Sequence, residues 1–500
     1  MNLQFLNLQN GSDIRGVAMD GIPSEKINLT SEHVKWIAYA FGLFLSEKTG
    51  LKTEDISISV GTDSRITGPE LQESIVNSLS DLGSTTYICG IASTPSMFMS
   101  TKFRKHNCDG AIMITASHLP FNRNGMKFFT RSGGLDKKDI TEILTKATEL
   151  SQANYTANNK GTIIPYKLID VYADYLVHKI RKETSDLTPL EGLKIIVDAG
   201  NGAGGFFATK ILKQLGAITT GSQFLEPDGH FPNHIPNPED PAAMASIQEA
   251  TIKNDADLGI IFDTDVDRAA VVDRGGKIIN RNLLIALMSA IVLEDYPGTT
   301  IVTDSVTSDG LTAFIDELGG VHHRFKRGYK NVINESRRLN NEGIESALAI
   351  ETSGHGAFKE NFFLDDGAFT ITKIIIKLAK MKATGKTLSS LIETLVEPVE
   401  ASEHRVKIKD KDFQTYGKNV ITALTEFMND NTRYEIAPNN FEGIRVMSKD
   451  PKIDGWFLVR LSLHDPILPI NIESNSVTGV KIMEDDLRTF LSNYEQLDVF

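Results

Sequence analysis

The sequence predicts an α/β fold with three similar α/β domains in tandem and a smaller C-terminal α+β domain. Most of the 500 residues alternate short β-branched runs with helical periodicity, which is typical of α/β layers. At roughly 150 residues per domain, the length also indicates three or four domains. After about residue 400 the strands become shorter and surround one helix, which indicates a smaller domain of a different kind.

Three segments of the chain open in the same way, with a buried-strand run followed by an Asp in a polar or glycine-containing turn. They are ISISVGTDSR at 56–65, LKIIVDAGNG at 193–202 and TIVTDSVTS at 300–308. Each is expected to begin a β-α unit, and their spacing indicates three related domains.

The first helix is predicted to follow Thr30 and Ser31 and to end before Gly50. It has an apolar stripe at helical spacing, which we interpret as core. The stripe consists of Val34, Ile37, Ala38, Phe41 and Leu45.

The domain boundaries follow from helices and turns between the repeated segments. A linker helix over 167–182 separates the first two predicted domains, and turn residues at 295–298 mark the next domain boundary. In the last domain, strands are predicted over 404–408 and 455–463, with a helix over 413–428. The predicted domains are 1–160, 161–297, 298–400 and 401–500.

Composition excludes several classes of protein. The net charge of −13 argues against non-specific binding to nucleic acid, whose phosphates attract a basic surface. No run of 18 apolar residues occurs, and residues 1–11 lack a secretory pattern, so we expect a cytoplasmic enzyme without a membrane partner. Cys89 and Cys108 are too few for a disulfide framework and lack metal-ligand spacing.

The run AIMITASHLP at 111–120 is an apolar strand that ends in small and polar residues. It is expected to place Ser117 and His118 on an exposed loop. A serine hydroxyl can carry a phosphoryl group, while His118 and the ammonium of Lys127 can offset its charge or move protons. Taken alone, Thr-Ala-Ser-His is also typical of an ordinary turn.

Three carboxylates, Asp263, Asp265 and Asp267, follow the apolar run at 258–262. At a strand end they offer oxygen ligands to one hard cation. A solvated acidic turn is the alternative, although three such carboxylates would repel one another without a cation. An EF-hand is excluded because Arg268 and Arg274 stand where Gly and Glu are required. Three protein ligands leave room for a phosphate oxygen, which suits Mg²⁺.

Two further loops carry weaker signals. In ETSGH at 351–355, Glu351 and Ser353 can bind two sugar hydroxyls. In RLSLHDP at 460–466, Arg460 and Ser462 can bind a phosphate dianion. In isolation, each pattern also fits an ordinary loop after a strand.

Taken together, in this order and spacing, the four loops resemble the α-D-phosphohexomutase superfamily, which includes phosphoglucomutase and phosphomannomutase. The resemblance extends over nearly the whole chain. Further segments that carry it are GSDIRG at 11–16, DSR at 63–65, PDG at 227–229, FP at 231–232 and PNPE at 236–239.

The resemblance implies four domains around a central cleft and a role for each loop. Ser117 corresponds to the family's phosphoserine, and Ser117, Asp263, Asp265 and Asp267 to its Mg²⁺ ligands. The groups around the transferred phosphoryl correspond to Arg15, His118, Lys127 and Arg268, with Lys127 the better candidate for general acid or base. The substrate-binding residues correspond to Arg327, Gly328, Tyr329, Glu351, Ser353, His355, Arg460 and Ser462.

The implied activity is a phosphohexomutase that interconverts hexose 1-phosphate and hexose 6-phosphate, with glucose or mannose as the sugar. The reaction would pass through a phosphoserine enzyme and a hexose 1,6-bisphosphate, which also serves as activator. N-acetylglucosamine phosphate stays open as a third substrate. The alternatives are an idle phosphosugar-binding relative and a metal-dependent sugar phosphatase. The chain departs from the family pattern at Leu119, Ile350, Leu461, Leu463, His464 and Asp465.

Overall fold

The structure is a computed structural model that describes residues 3–157, 159–462 and 465–500. Leu463 and His464, two of the departures named above, lie outside the described residues.

The helices are α1 (Ser31–Thr49), α2 (Gly68–Asp81), α3 (Thr94–Met99), α4 (Lys137–Gln152), α5 (Leu168–Thr184), α6 (Pro241–Lys253), α7 (Asn282–Asp295), α8 (Asp309–Glu317), α9 (Tyr329–Asn341), α10 (Gly367–Met381), α11 (Phe413–Asn429) and α12 (Gly479–Leu491).

The strands follow the same alternation along the chain. They are β1 (Gln9–Asn10), β2 (Asp13–Val17), β3 (Ser57–Thr62), β4 (Thr85–Ile91), β5 (Gly110–Ile114), β6 (Arg123–Thr130), β7 (Gly133–Gly134), β8 (Ile163–Pro165), β9 (Ile195–Asp198), β10 (Leu258–Phe262), β11 (Ala269–Asp273), β12 (Ile278–Ile279), β13 (Thr300–Thr303), β14 (Val321–Arg324), β15 (Ser346–Ile350), β16 (Gly356–Phe358), β17 (Leu364–Asp365), β18 (Glu400–Ile408), β19 (Tyr434–Ile436), β20 (Ile444–Ser448), β21 (Gly455–Val459), β22 (Ile467–Ser474) and β23 (Leu497–Asp498).

The chain folds into two compact units. Unit 1 comprises Met1–Leu284 and Ser353–Leu391, and unit 2 comprises Ile285–Thr352 and Ile392–Phe500. No helix of the described residues is long and apolar enough to cross a membrane.

The first sheet of unit 1 has the strand order β1-β2-β6-β5-β3-β4-β8. β3, β4, β5 and β8 run parallel, whereas β6 is antiparallel to both β5 and β2. The first helix is confirmed: α1 has Thr30 as N-cap and ends at Gly50, whose φ of +71° suits glycine. All five residues of the predicted stripe are buried.

The second sheet of unit 1 has the order β12-β11-β10-β9, with β9 and β10 parallel. The predicted β-α units are seen after β3, which leads into α2, and after β13, which leads into α8. After β9 the chain instead forms a π-helical turn over Phe207–Leu212 and a 3₁₀ turn over Lys213–Leu215. The linker helix predicted over 167–182 is α5.

Unit 2 combines two kinds of sheet. β13 pairs in parallel with β14 on one side and β15 on the other. The C-terminal sheet has the order β19-β20-β21-β22-β18-β23, and its apolar face packs with α11 and α12 in one core. The predicted strand over 455–463 ends earlier, because β21 stops at Val459. The predicted domain boundaries stay predictions. Strand β8, just beyond the predicted boundary at residue 160, pairs with β4 of the first sheet.

Candidate active site

The Ser117 loop connects β5 to β6, as the sequence predicts. Its exposure is different: Ser117 is only 8% exposed, and His118 is half-buried. The expectation that Ser117 is exposed is wrong because Asp263 and Arg268, in the segment after β10, contact its hydroxyl. Ser117 has a φ of +51°, in the left-handed region that residues other than glycine rarely occupy.

The Ser117 hydroxyl is surrounded by charged groups. Its Oγ lies 3.1 Å from Oδ2 of Asp263 and accepts a hydrogen bond of 3.0 Å from Nη2 of Arg268. The same Oγ lies 3.4 Å from Nδ1 of His118. A cation and a carboxylate therefore meet at the predicted nucleophile.

The buried guanidinium of Arg65 donates hydrogen bonds to the backbone of this loop. Its Nη2 donates to the carbonyls of Ser117 and Leu119 at 2.6 Å, and its Nη1 donates to those of Pro120 and Arg123 at 2.8 Å. Arginine is suited to this arrangement because its donors form a rigid planar fork. Arg65 thus fixes four carbonyls of the loop that holds Ser117 in its left-handed conformation.

The three predicted metal ligands lie in the loop that follows β10. Val266 has a φ of +67°, which is unusual for a β-branched residue and reverses the chain between Asp265 and Asp267. As a result, ligand oxygens of Asp263, Asp265 and Asp267 lie within 4.8 Å of one another, all buried. Strain of this kind is characteristic of functional sites.

The carboxylate oxygens of this cluster are only partly engaged. Oδ2 of Asp265 accepts from Nζ of Lys127 at 2.9 Å and from Oγ1 of Thr94 at 2.5 Å. Lys127 also contacts Oδ2 of Asp267. Among the described residues, nothing donates a hydrogen bond to Oδ1 of either Asp265 or Asp267. Two buried anionic oxygens without donors fit a site for a hard cation.

The pKa values of this cluster reflect burial and neighbouring charge. Burial, and then the charge of Asp267, raises the pKa of Asp263 well above its usual value. Burial also acts on Lys127, but Asp265 and Asp267 more than offset it and raise the pKa of Lys127. Lys127 is therefore an ammonium ion in this structure. Besides Lys127, Arg268 pairs with Asp263 at 3.0 Å, so cations of the protein lie against the cluster from two sides.

Arg268 and Arg15 bring positive charge to the same region. Nη2 of Arg268 lies 2.6 Å from Nδ1 of His118, and arginine has only donors, so this Nδ1 is an unprotonated acceptor. Burial, and then Arg268, lowers the pKa of His118 to about 3, which keeps the ring neutral. Although burial opposes it, Asp13 and then Asp265 raise the pKa of Arg15 on β2.

His355 and Ser353 complete the unit 1 group. His355 forms an antiparallel bridge with Arg268, and Gly354 allows it, because a Cβ there would lie 2.9 Å from the carbonyl of Ala269. Nδ1 of His355 lies 2.5 Å from Oδ2 of Asp365. Although burial opposes it, Asp365 raises the pKa of His355 to about 9. Ser353 is 9% exposed on the same turn.

The remaining predicted residues belong to unit 2. Gly328, with a φ of +114°, precedes Tyr329 at the start of α9. Its amide donates to Oε1 of the buried Glu351 at 2.6 Å, and the amide of Arg327 donates to Oε2 of Glu442 at 3.1 Å. The two carboxylates thus fix the loop that carries Arg327.

Arg460 follows β21 directly. Nε of Arg460 has no hydrogen-bond partner within the described ranges. Burial, and then the charge of Arg327, lowers the pKa of Arg460. The nearby Glu442 and Asp304 offset part of this effect on the pKa of Arg460. Oγ of Ser462 accepts a hydrogen bond from the amide of Asp465 at 3.2 Å.

Several contributors were not predicted from the sequence. Thr94 binds Asp265, Asp365 binds His355, and Asn237 accepts from Nη1 of Arg268 at 3.0 Å. The only sequence signal for Thr94 is its place in the Ser93-Thr94-Pro95-Ser96 start of α3, where Ser93 and Ser96 form a capping box. Arg65 lies in the DSR segment that carries the family resemblance, but the resemblance gave it no role.

Comparison with known proteins gives consistent matches. The family models for phosphoglucomutase/phosphomannomutase alpha/beta/alpha domains I, II and III match residues 7–154, 170–276 and 280–399. A phosphomannomutase/phosphoglucomutase of Pseudomonas syringae pv. tomato is 30% identical over 468 residues, which cover 93% of this chain and 90% of that protein. A phosphomannomutase of Escherichia coli is 29% identical and covers 96% of this chain and 97% of that protein.

Among solved structures, a phosphoglucomutase/phosphomannomutase family protein from Burkholderia thailandensis has a TM-score of 0.79 and 26% identity. The match covers 97% of this chain and 96% of that one. Fold and sequence together define a mutase of the α-D-phosphohexomutase class. The chain belongs to the phosphoglucomutase/phosphomannomutase family. The predicted fold class and activity are thereby confirmed: three α/β domains with a C-terminal domain, and an isomerase that acts on hexose phosphates.

Proposed function

We propose that Ser117 carries the phosphoryl group in the interconversion of glucose or mannose 1- and 6-phosphates. One observation supports this most strongly: the Ser117 hydroxyl accepts from the Arg268 guanidinium, and two buried carboxylate oxygens of the aspartate cluster have no hydrogen-bond donor in the part of the chain that the structure describes. Such a group is suited to phosphoryl transfer, in which catalysis consists mainly of positioning and charge stabilisation.

In the first half-reaction, phospho-Ser117 meets a hexose monophosphate. The bond between phosphorus and the serine oxygen breaks and a bond to a sugar hydroxyl oxygen forms. Lys127 gives a proton to the departing serine oxygen and takes up the proton that the sugar hydroxyl loses, so the proton count is unchanged. The product is a hexose 1,6-bisphosphate. After this intermediate turns around, the other phosphoryl group returns to the Ser117 oxygen. The same bisphosphate would act as activator by phosphorylating free Ser117.

The metal ligands would be Asp263, Asp265, Asp267 and the Ser117 oxygen or its phosphate. When bound, Mg²⁺ supplies positive charge that stabilises the oxygens of the transferred phosphoryl group. Arg268 already donates to Oγ of Ser117 and therefore orients that oxygen before transfer. Arg65 keeps the loop backbone in place during the step.

Lys127 is the proposed proton carrier. Its raised pKa makes it an acid in this structure, able to give a proton to an oxygen from which phosphorus departs. His118 is less suited, because its Nδ1 already accepts from Arg268. His355, oriented by Asp365, would bind a sugar hydroxyl next to Ser353.

In unit 2, we assign recognition to two loops. Glu351 and the segment of Arg327, Gly328 and Tyr329 would bind sugar hydroxyls, while Arg460 and Ser462 would bind the phosphate that is not reacting. The Nε of Arg460, which has no hydrogen-bond partner among the described residues, supports an anionic ligand here. A cytoplasmic location stays a prediction of the sequence. The idle-relative and phosphatase alternatives are not favoured by the family matches.

The test is a coupled mutase assay with the 1-phosphates of glucose, mannose and N-acetylglucosamine, with glucose 1,6-bisphosphate as activator. Ser117→Ala is expected to lose turnover for every substrate and to lose the phosphate that intact-mass measurement finds on the wild-type chain. Ser132→Ala, at an exposed serine, should keep both. Turnover retained in Ser117→Ala would reject the phosphoserine, and release of inorganic phosphate at the mutase rate would support the phosphatase.

A further inference from the structure

The segment between residues 228 and 240 carries two histidines, each beside an aspartate, in opposite surroundings. The His230 side chain is 70% exposed and lies 2.9 Å from Asp228. The His234 side chain is only 4% exposed and contacts Asp198, at the end of β9. The two residues therefore form a natural pair for comparison.

Both ring nitrogens of His234 face oxygen acceptors. Nε2 lies 3.0 and 3.1 Å from the two carboxylate oxygens of Asp198, and Nδ1 lies 2.9 Å from the carbonyl oxygen of Ile235. A carbonyl cannot donate a hydrogen bond. An imidazole ring has a hydrogen on both nitrogens only when it is the protonated imidazolium.

The acceptor at Nε2 is the carboxyl group of Asp198, which is held by three further donors. Oδ1 of Asp198 accepts from the amide of Gly200 at 2.9 Å, and Oδ2 accepts from Nε2 of Gln223 at 2.7 Å and from Oγ of Ser246 at 3.0 Å. Asp198 and His234 thus form an ion pair that is closed to solvent.

This ion pair leads to the proposed catalytic group through a short path. The carbonyl of Ile235 that accepts from His234 also accepts from the amide of Asn237 at 2.8 Å. Oδ1 of Asn237 in turn accepts from Nη1 of Arg268 at 3.0 Å. Arg268 is the residue that donates to Oγ of Ser117.

We propose that His234 is a positioning residue that acts as an imidazolium: it ties residues 234–237 to Asp198 and so holds Asn237 against Arg268. The inference rests on the proposed roles of Ser117 and Arg268. Besides Asp198, the charged group that acts on His234 is Asp240, before α6, and the ring of Phe224 packs edge-on at 5.6 Å. A neutral His234 would have to give up one of its two hydrogen bonds.

The pH dependence has a definite sign. Although burial favours the neutral ring, Asp198 raises the pKa of His234 above its ordinary value. The arrangement is therefore complete below the ordinary histidine pKa and is lost as pH rises through the higher pKa of the folded protein. Turnover should accordingly decline at alkaline pH when His234 loses its proton.

The first measurement follows ¹⁵N-labelled histidines of the full-length wild-type protein by NMR during a pH titration. His234→Gln and His230→Gln identify the two signals by their loss. We expect His234 to keep hydrogens on both nitrogens above the pH at which an ordinary imidazole loses one. If His234 is neutral there, the imidazolium role is wrong.

The second measurement is steady-state kinetics. His234→Gln should lower kcat about tenfold to a hundredfold, as a misplaced reacting group does, with little change in KM. It should also abolish the alkaline decline, whereas His230→Gln should leave kcat and its pH profile as in wild type. Unchanged kcat in a folded His234→Gln protein would overturn the proposal.

The kcat of Asn237→Ala tests the same link without depending on whether His234→Gln folds. It should lower kcat by a similar factor, and the double variant should be no worse than the more severe single one. Wild-type kcat in Asn237→Ala, or fully additive effects, would overturn the link to Arg268. The proposed function is tested separately: turnover retained in Ser117→Ala would reject the phosphoserine, whereas the outcomes for His234 and Asn237 leave that result unchanged.

Discussion

The two units present their proposed site residues in different states. In unit 1, Ser117 and Arg268 are buried and directly hydrogen-bonded, together with a carboxylate cluster. In unit 2, Arg460 keeps a buried Nε without a partner, within the ranges that the structure describes, and Ser462 is half-buried. The unit 1 group is held together by its own hydrogen bonds, whereas Nε of Arg460 in unit 2 has no such partner among the described residues.

The difference follows from the two tasks. Phosphoryl transfer needs groups fixed in advance, because reorganisation during the reaction raises the barrier. Recognition of a phosphate needs donors that the protein itself leaves available, because the anion then accepts from them directly. Changes in unit 1 should therefore reduce kcat, and changes in unit 2 should weaken binding.

The largest effect is expected for Asp265→Asn, which removes one of three charges from the carboxylate cluster. Turnover should fall at least about a hundredfold, the scale for loss of one electrostatic stabiliser. Calorimetric titration of Mg²⁺ should show weaker binding. The matched control is Asp255→Asn, at an exposed turn just before β10. Full turnover of wild type in excess chelator would show that no metal takes part.

Arg65→Lys should come next, with kcat about tenfold lower, because one ammonium cannot reach four carbonyls. Its KM should stay close to wild type, which separates a misplaced Ser117 loop from lost substrate contacts. Arg104→Lys, at an exposed arginine, controls for the exchange itself. A normal kcat in folded Arg65→Lys would show that the loop holds Ser117 without the clamp.

Arg460→Ala tests the unit 2 half of the comparison. Loss of a charge-assisted pair should cost about 1.5 to 3 kcal/mol, or roughly tenfold to a hundredfold in affinity for glucose 1-phosphate. Calorimetry measures this directly, with Arg405→Ala on the exposed face of β18 as control. Equal affinities of variant and wild type would mean that this loop does not bind phosphate, and would favour the idle-relative alternative.

The parts of the site that the sequence predicted share one property: polar residues follow directly after a buried strand. The aspartates after β10, Glu351 after β15 and Arg460 after β21 all follow this rule. A buried strand holds the residue that follows it in place, so a polar residue at that position can be recognised from the local pattern alone.

The parts that were missed depend on long-range packing. Thr94 reaches Asp265 across 171 residues of sequence, and Ser117 is covered by Asp263 across 146. No local pattern contains such a contact. The wrong expectation that Ser117 is exposed has the same origin, because a loop seen in isolation shows nothing of the neighbouring domain. The ring charge of His234 likewise depends on Asp198, 36 residues away.

The smallest effect is expected for Glu442→Gln, at a residue that shapes the unit 2 site without being assigned to the ligand. Oε2 of Glu442 accepts from Oγ of Ser305 at 2.6 Å and from the amide of Arg327 at 3.1 Å. A glutamine keeps one oxygen acceptor but loses the charge, which roughly halves the strength of such bonds. The loop at Arg327 should loosen, not collapse, because Gly328 still donates to Glu351.

The expected loss for Glu442→Gln is about 1 kcal/mol, seen as a KM for hexose phosphate roughly fivefold higher. The kcat and the phosphate content of Ser117 should not change, since the unit 1 contacts stay intact. Glu435→Gln, at an exposed position on β19, is the control. If Glu442→Gln instead lowered kcat with KM unchanged, the separation of chemistry in unit 1 from recognition in unit 2 would be wrong.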